Sequence, residues 1–336
     1  FPLTVGGAER WYRNLAERLA REGHEVTYLT RRQWPRSRPP TVPGVRIVAV
    51  SPPGDLYTRS GRRRILPPLL FGIGVLWHLL LHGRRYDVVH TASFPYFSVL
   101  AAAAARARGR YRLVVDWHEV WSREYWHSYL GPLGAVGWAV QRLCARVDHQ
   151  SFCFSRLHAE RLRTIAPRTR PLVLRGEYAG PTEPRGPKPA EPVVVFAGRH
   201  IPEKRVPLLV EAFAIVARHD RELRLEILGD GPERGRVEEA VERHDLRGRV
   251  ELPGFVAPQE VDQRLGRALC MVLPSMREGY GMVVVEAASR GVPSIVVRAP
   301  DNAAVELVKN GENGFVCASD DPEELARAIL RVRDAG

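Results

Sequence analysis

The sequence predicts two doubly wound α/β domains joined by a short linker, and three observations predict it. In the second half, apolar runs of strand length alternate with helical patterns, the rhythm of a parallel sheet with right-handed crossovers. The first half repeats that rhythm less regularly. Between the halves, Pro181, Pro184, Pro187 and Pro189 punctuate a stretch unsuited to regular structure. The 336 residues suit two domains of ordinary size, and a 45% hydrophobic content supplies their cores and excludes global disorder. The expected division is a first domain over 1–178, a linker over 179–191 and a second domain over 192–336.

The elements follow in order. An amphipathic helix is expected over residues 8–22. A doubly wound domain normally opens with a strand, so one is expected ahead of this helix, and the expectation is that the sequence lacks it. Further strands are expected at 25–29, 45–50, 87–90, 112–116 and 150–154. Residues 65–81 are strongly apolar, between Arg62, Arg63 and Arg64 on one side and Arg84 and Arg85 on the other. Their length approaches that of a spanning helix, but Pro67, Pro68, Gly72, Gly74 and His78 interrupt the run and a strand follows at once. The first reading is a domain helix with a partly exposed face; contact with a membrane surface is second, and a spanning helix third. In the second domain strands are expected at 193–197, 223–228, 250–252, 271–273, 294–297 and 314–316. Helices are expected near 207–218, 232–244, 257–267, 282–290 and 302–309, with a last one from Pro322.

Composition narrows the partners. The 50 Lys and Arg against 38 Asp and Glu give a net charge of +12, which favours sugar nucleotides, phospholipid surfaces or nucleic acid. No nucleic-acid module signature accompanies the charge, so nucleic acid is not expected. Cys144, Cys153, Cys270 and Cys317 are scattered, without C-x-x-C or zinc-ligand spacing, and read as reduced, packed thiols of a cytoplasmic protein.

The sharpest constellation runs from Pro274 to Ala287. A strand ends, a glycine-bearing loop follows, and a helix starts near Gly281. Free backbone N–H groups there suit a diphosphate, and glycines allow close approach. Glu278 and Glu286 flank this nest. They would repel a phosphate if aimed at it, but serve well as acceptors for hydroxyls on either side, such as a ribose diol and a sugar ring. The bland alternative is an ordinary helix start with a solvated Glu286. A second piece, Gly198-Arg199-His200-Ile201-Pro202-Glu203-Lys204, projects two cations that can neutralise a diphosphate leaving group, or else are merely solvated. Gly229 and Gly231 after one strand serve as a turn or a donor contact. Gly254, Phe255 and Val256 after another can read a base edge.

These residues resemble family 4 of the retaining glycosyltransferases, the group 1 enzymes of GT-B fold. The second half matches nearly end to end, and the seven residues between Glu278 and Glu286 reproduce the family's paired-glutamate motif. The resemblance implies two Rossmann-like domains facing each other across a deep cleft. It implies that Glu278 meets donor-sugar hydroxyls, that Glu286 meets the ribose, and that the backbone of Gly279, Tyr280, Gly281 and Met282 meets sugar and phosphate. It implies that Arg199, Lys204 and Gly198 form the phosphate site and that Gly254 to Val256 hold the base. In the first domain Gly6 and Gly7 resemble the family's Gly-Gly loop near the diphosphate, and His118 stands where the family carries a histidine near the reacting sugar. Asp116, Glu119 and Trp121 flank it as a weaker acceptor group. Retention follows only from the resemblance.

No Asp-x-Asp motif or metal cage stands out, and Arg199 and Lys204 supply the charge a divalent ion would bring, so a metal-independent reaction without cofactor is expected. The expected partners are a nucleotide-sugar donor, a hydroxyl acceptor on a lipid or polysaccharide precursor, and a peripheral contact with anionic membrane on its inner face. Two departures stand out: Arg175-Gly176-Glu177-Tyr178 replaces the family's Asn-Gly-x-Asp, and the terminal helices that relatives carry past Gly336 are expected to be incomplete. Two alternatives stay open. A sugar-nucleotide epimerase would need no acceptor, and a non-catalytic binding protein would turn nothing over.

Overall fold

The computed structural model describes residues 7–35, 37–54, 64–174 and 190–335. Gly6, the segment before it, the departure at 175–178 and most of the expected linker lie outside these residues. The chain divides into two compact units, Phe1–Leu174 and Arg175–Gly336.

In the first unit α1 (Gly7–Arg21) precedes β1 (Val26–Arg31) and β2 (Val45–Ser51), a parallel pair. Then come α2 (Leu66–His82), β3 (Val88–Ala92), α3 (Tyr96–Gly109), β4 (Arg112–Trp117), α4 (Arg123–Leu130), α5 (Gly134–Arg146), β5 (Gln150–Cys153), α6 (Arg156–Ile165) and β6 (Leu172–Val173). Strands β3-β4-β5-β6 form a parallel sheet in sequence order. The helices α3 to α6 were not expected from sequence. The reason is clearest in α3: Val99, Ala101, Ala102 and Ala105 are buried around most of its circumference, so no polar face marks a helical period. Local chemistry starts two of the others. Ser122 Oγ accepts from Tyr125 N before α4, and Ser155 Oγ accepts from His158 N before α6.

The second unit runs β7 (Val193–Ala197), α7 (Val206–His219), β8 (Arg224–Leu228), α8 (Arg234–Arg243), β9 (Val250–Gly254), α9 (Pro258–Leu265), β10 (Cys270–Leu273), β11 (Arg277–Glu278), α10 (Met282–Ala288), β12 (Ser294–Val297), β13 (Asp301–Asn302), β14 (Gly314–Cys317) and α11 (Pro322–Ala335). The main sheet has the order β14-β12-β10-β7-β8-β9, every pair parallel. Its central strands are buried on both faces, which is why Val193 to Phe196 and Cys270 to Leu273 read as unbroken apolar runs.

Two expectations are corrected here. The helix expected over 302–309 is a two-residue strand, β13, followed by a 3-10 turn over Ala303–Leu307. Asn302 turns its side chain inward, where it donates to Ser275 O (2.9 Å) and Val297 O (2.7 Å) and accepts from Ala304 N (3.0 Å). An asparagine so engaged favours the turn over a regular helix. The helix expected to reach Arg290 stops at Ala288, where Gly291 at φ +72° lets Val292 N bond back to Ala287 O.

Candidate active site

The order of the main sheet reverses between β7 and β10. The chain winds outward to β8 and β9 on one side, then returns to β10, β12 and β14 on the other. Such a reversal splays the loops at the carboxyl ends of the two central strands and leaves a crevice between them. The cationic turn and the paired-glutamate loop leave the sheet at this point.

Three contacts stitch these loops together. Met276 N donates to Glu203 O at 2.9 Å, Arg277 Nη2 donates to Glu203 Oε1 at 3.2 Å, and Lys204 Nζ forms a short ion pair with Glu278 Oε1. The Lys204 and Glu278 side chains are only 19% and 10% exposed, so the pair is sheltered and each charge depends on the other. Lys204 sits in the 3-10 turn Pro202–Lys204, and exposed Arg199 leaves the end of β7. Glu278 is held in β11, which pairs with β13 in the register Glu278 to Asn302. Asn302 therefore braces the loop that carries Glu278. It escaped the sequence reading, and the only hint was a polar residue just after Pro300.

Past Glu278, Gly279 and a buried Tyr280 lead to Gly281, whose φ of +94° starts α10 at Met282. A Cβ on Gly281 would stand 2.7 Å from the Ala304 side chain, so this turn admits only glycine without rearrangement. Glu286 lies half-buried on α10. On the other side of β7, Gly198 N donates to Leu228 O and Gly229 N donates to Gly254 O. Phe255 beyond it is 72% exposed, and Val256 is partly buried against the core. All the residues singled out in the second half thus emerge on one carboxyl edge. From β10 to β9 that edge crosses three strand spacings, about 14 Å, an extent suited to an elongated ligand.

In the first unit the carboxyl ends of β3 and β4 carry a second constellation. Asp116 is 0% exposed: Trp11 Nε1 donates to its Oδ2 at 3.0 Å and the Tyr12 hydroxyl to the same oxygen at 2.9 Å, while His90 Nε2 lies 2.9 Å from Oδ1. Burial pushes its carboxyl up, but His90, His118 and the Trp11 hydrogen bond together outweigh that and hold it below the usual range. Asp116 thereby ties α1, β3 and β4 together in the interior of the first unit. Trp121 is likewise packed among Phe94, Tyr125, Trp126 and Tyr129, and its indole N–H donates to Glu119 Oε2 at 2.6 Å. His118 stacks on Phe154 (4.7 Å between centroids) and meets Tyr12 edge-on, and burial lowers its pKa, keeping the ring neutral. His90, in the middle of β3, was not singled out from sequence; a histidine directly after Val88 and Val89 was its only signal. Gly7 is the first residue of α1. Among the described residues no three His, Cys, Asp or Glu side chains converge as a metal-ligand set.

Burial also lowers the pKa of His149 and His200. A histidine depressed in the fold binds fewer protons than its unfolded counterpart below the unfolded pKa, near 6.5. Stability is therefore full above that pH and declines as pH falls through it, by up to ~1.4 kcal/mol per pH unit for each histidine. Asp116 adds to the loss only further down, as pH falls through its depressed carboxylate pKa. Urea unfolding near pH 7.5 and pH 5.5 checks this; equal stability at both would refute it.

Two family models match the chain: "Glycosyltransferase Family 4" over residues 5–173 and "Glycosyl transferases group 1" over residues 182–334. The chain belongs to family 4, group 1, of the glycosyltransferases. Among curated relatives, α-D-kanosaminyltransferase of Streptomyces kanamyceticus is 32% identical over 143 residues, 43% of this chain and 36% of the relative. The chain thus spans about a third of that relative's length. Among solved structures, sucrose-phosphate synthase from Thermosynechococcus elongatus aligns over 98% of this chain and 85% of its own, with a TM-score of 0.78 at 19% identity. HepE of Anabaena, solved in complex with UDP-glucose, aligns over 99% and 87%, with a TM-score of 0.68 at 19% identity. The glycosyltransferase has the GT-B fold, built from two Rossmann-like domains.

Proposed function

We propose that this glycosyltransferase moves a hexose-type sugar from a nucleotide-diphosphate sugar to a hydroxyl acceptor, a lipid-linked or polysaccharide precursor, with retention and without a metal. The observation that carries the reading is the sheltered Lys204–Glu278 pair at the point where the strand order reverses. It sets a fixed cation beside a fixed hydroxyl acceptor where a diphosphate joins a sugar. Arg199 and Lys204 neutralise the leaving diphosphate. Glu278 takes hydrogen bonds from donor-sugar hydroxyls, Glu286 from the ribose, and the backbone from Gly279 to Met282 donates to phosphate and sugar. Gly254, Phe255 and Val256 receive the base, and the complexes that HepE forms with UDP-glucose favour uridine.

In the step itself the bond from the anomeric carbon to the diphosphate oxygen breaks, and a bond to the acceptor oxygen forms on the same face. The acceptor's proton passes to the departing phosphate oxygen, so no protein base is required. The first domain, with His118 and Glu119, holds the acceptor side. All four cysteines are buried and unbridged, and burial pushes their thiols up to about 12, which suits a cytoplasmic location. A thermal-shift screen across UDP, GDP, ADP and their sugars tests the donor site. A ligand at about 100 times its Kd stabilises the fold by roughly 2.7 kcal/mol. No shift with any nucleoside diphosphate would end the proposal, and donor consumption without an acceptor-linked product would mark an epimerase instead.

A further inference from the structure

Helix α2 has two apolar faces, and only one is used. Its inner face, Gly72, Val75 and Leu79, is buried. There the backbone touches its neighbours: a Cβ on Gly72 would stand 3.1 Å from the Phe97 carbonyl carbon, and one on Gly74 would stand 2.8 Å from that of Val50. Along the outer face Leu66, Leu69, Leu70, Ile73, Trp77 and Leu81 lie exposed at helical spacing, with Trp77 66% exposed. Leu66–Arg85 is long and apolar enough to cross a bilayer. Its seating against α3 and β2 makes that impossible without dismantling the unit, because the glycines that would face lipid are pressed onto Phe97 and Val50.

The ends of the stripe are cationic. Arg64 is exposed ahead of it and Arg84 and Arg85 behind it. Beside the latter a recess of about 790 Å³ is lined by Arg84, Arg110 and Arg112, with Asp87 as its one acid. An apolar stripe of six residues along a helix of 17, ~26 Å long, with arginines at both ends matches a surface that is apolar below and anionic above. A second copy of the chain would bring arginine against arginine, in a protein already at +12.

We infer that α2 lies flat in the interface of an anionic bilayer, its outer stripe among the acyl chains and its flanking arginines on lipid phosphates. This surface belongs to the first unit alone and does not depend on the donor-site reading.

Co-sedimentation of the full chain with vesicles tests it, using phosphatidylcholine alone or with about a third phosphatidylglycerol. Binding to the anionic vesicles, weakening as salt rises, is the expected result. The double variant Ile73→Ser and Trp77→Ser should bind at least ~10-fold less, with a melting temperature close to wild type because both side chains are more than half exposed. Arg84→Gln with Arg85→Gln, an independent pair away from the stripe, should lose the preference for anionic over neutral vesicles. Wild-type protein that ignores both vesicles, variants that bind as wild type, or a stripe that serves only to dimerise the chain would overturn the inference.

Discussion

Glu278→Gln should lower kcat/KM for sugar transfer by ~10²–10³-fold while leaving nucleoside diphosphate affinity unchanged or slightly higher. The two readouts move apart because the carboxylate serves two partners. In the absence of donor it is the counter-ion of Lys204, and in the proposed complex with donor it orders sugar hydroxyls. The amide keeps the shape, removes the negative charge and releases Lys204 toward phosphate. Calorimetric titration with UDP and initial rates with a competent donor and acceptor measure both. Turnover equal to wild type would refute the assignment of Glu278. Lys204→Ala is the complementary case. It leaves a carboxylate only 10% exposed without its cation, so it should lose both diphosphate affinity and stability, the latter by about 3 kcal/mol or more. Pairing Lys204→Met with Glu278→Gln should recover the stability and not the activity, which separates the structural ion pair from the chemistry.

Gly229→Ala should be the most damaging single methyl group at the donor edge. Gly229 has a φ of +118°, and a Cβ there would overlap the Gly198 carbonyl oxygen and stand 2.9 Å from its carbon. Backbone cannot yield as a side chain can, so the cationic turn must shift. A loss of ~3 kcal/mol or more is expected, along with weaker diphosphate binding by the molecules that remain folded. Gly314→Ala is the matched control. Its Cβ would stand 2.7 Å from the Ser294 carbonyl carbon, at a φ of +150°, on the edge strand β14 away from Arg199 and Lys204. It should cost comparable stability without changing the affinity of folded protein. Urea unfolding and nucleotide titration of both variants decide between a general packing defect and a displaced binding loop, and equal affinities would leave Gly229 a purely structural residue.

Much of the second domain was legible because its strands are buried on both faces and its turns use glycine and proline in recognisable ways. The paired-glutamate loop and the Gly198–Lys204 turn could be named residue by residue because their motifs resemble those of the family. The first domain was harder to read. Its alanine-rich α3 shows no polar face, and α4 and α6 announce themselves only through single serine caps. The surroundings of Asp116 were not legible, because a carboxylate at a strand end looks the same in sequence whether or not Trp11, Tyr12 and His90 gather around it. Those partners lie up to 105 residues away along the chain.

What the sequence determined alone was therefore local: the strand and helix periods, the turn chemistry, the excess of arginine and the identity of the loop residues. Such features depend on neighbours within a few positions, where backbone sterics and side-chain period decide the outcome. What only the tertiary structure decided was adjacency. Strand order set β7 beside β10 and brought Lys204 to Glu278 across 74 residues. It let Asn302 brace the same loop, and it covered one face of α2 while leaving the other bare. These pairings depend on which buried surfaces fit together, a property of the packed whole that no single segment carries.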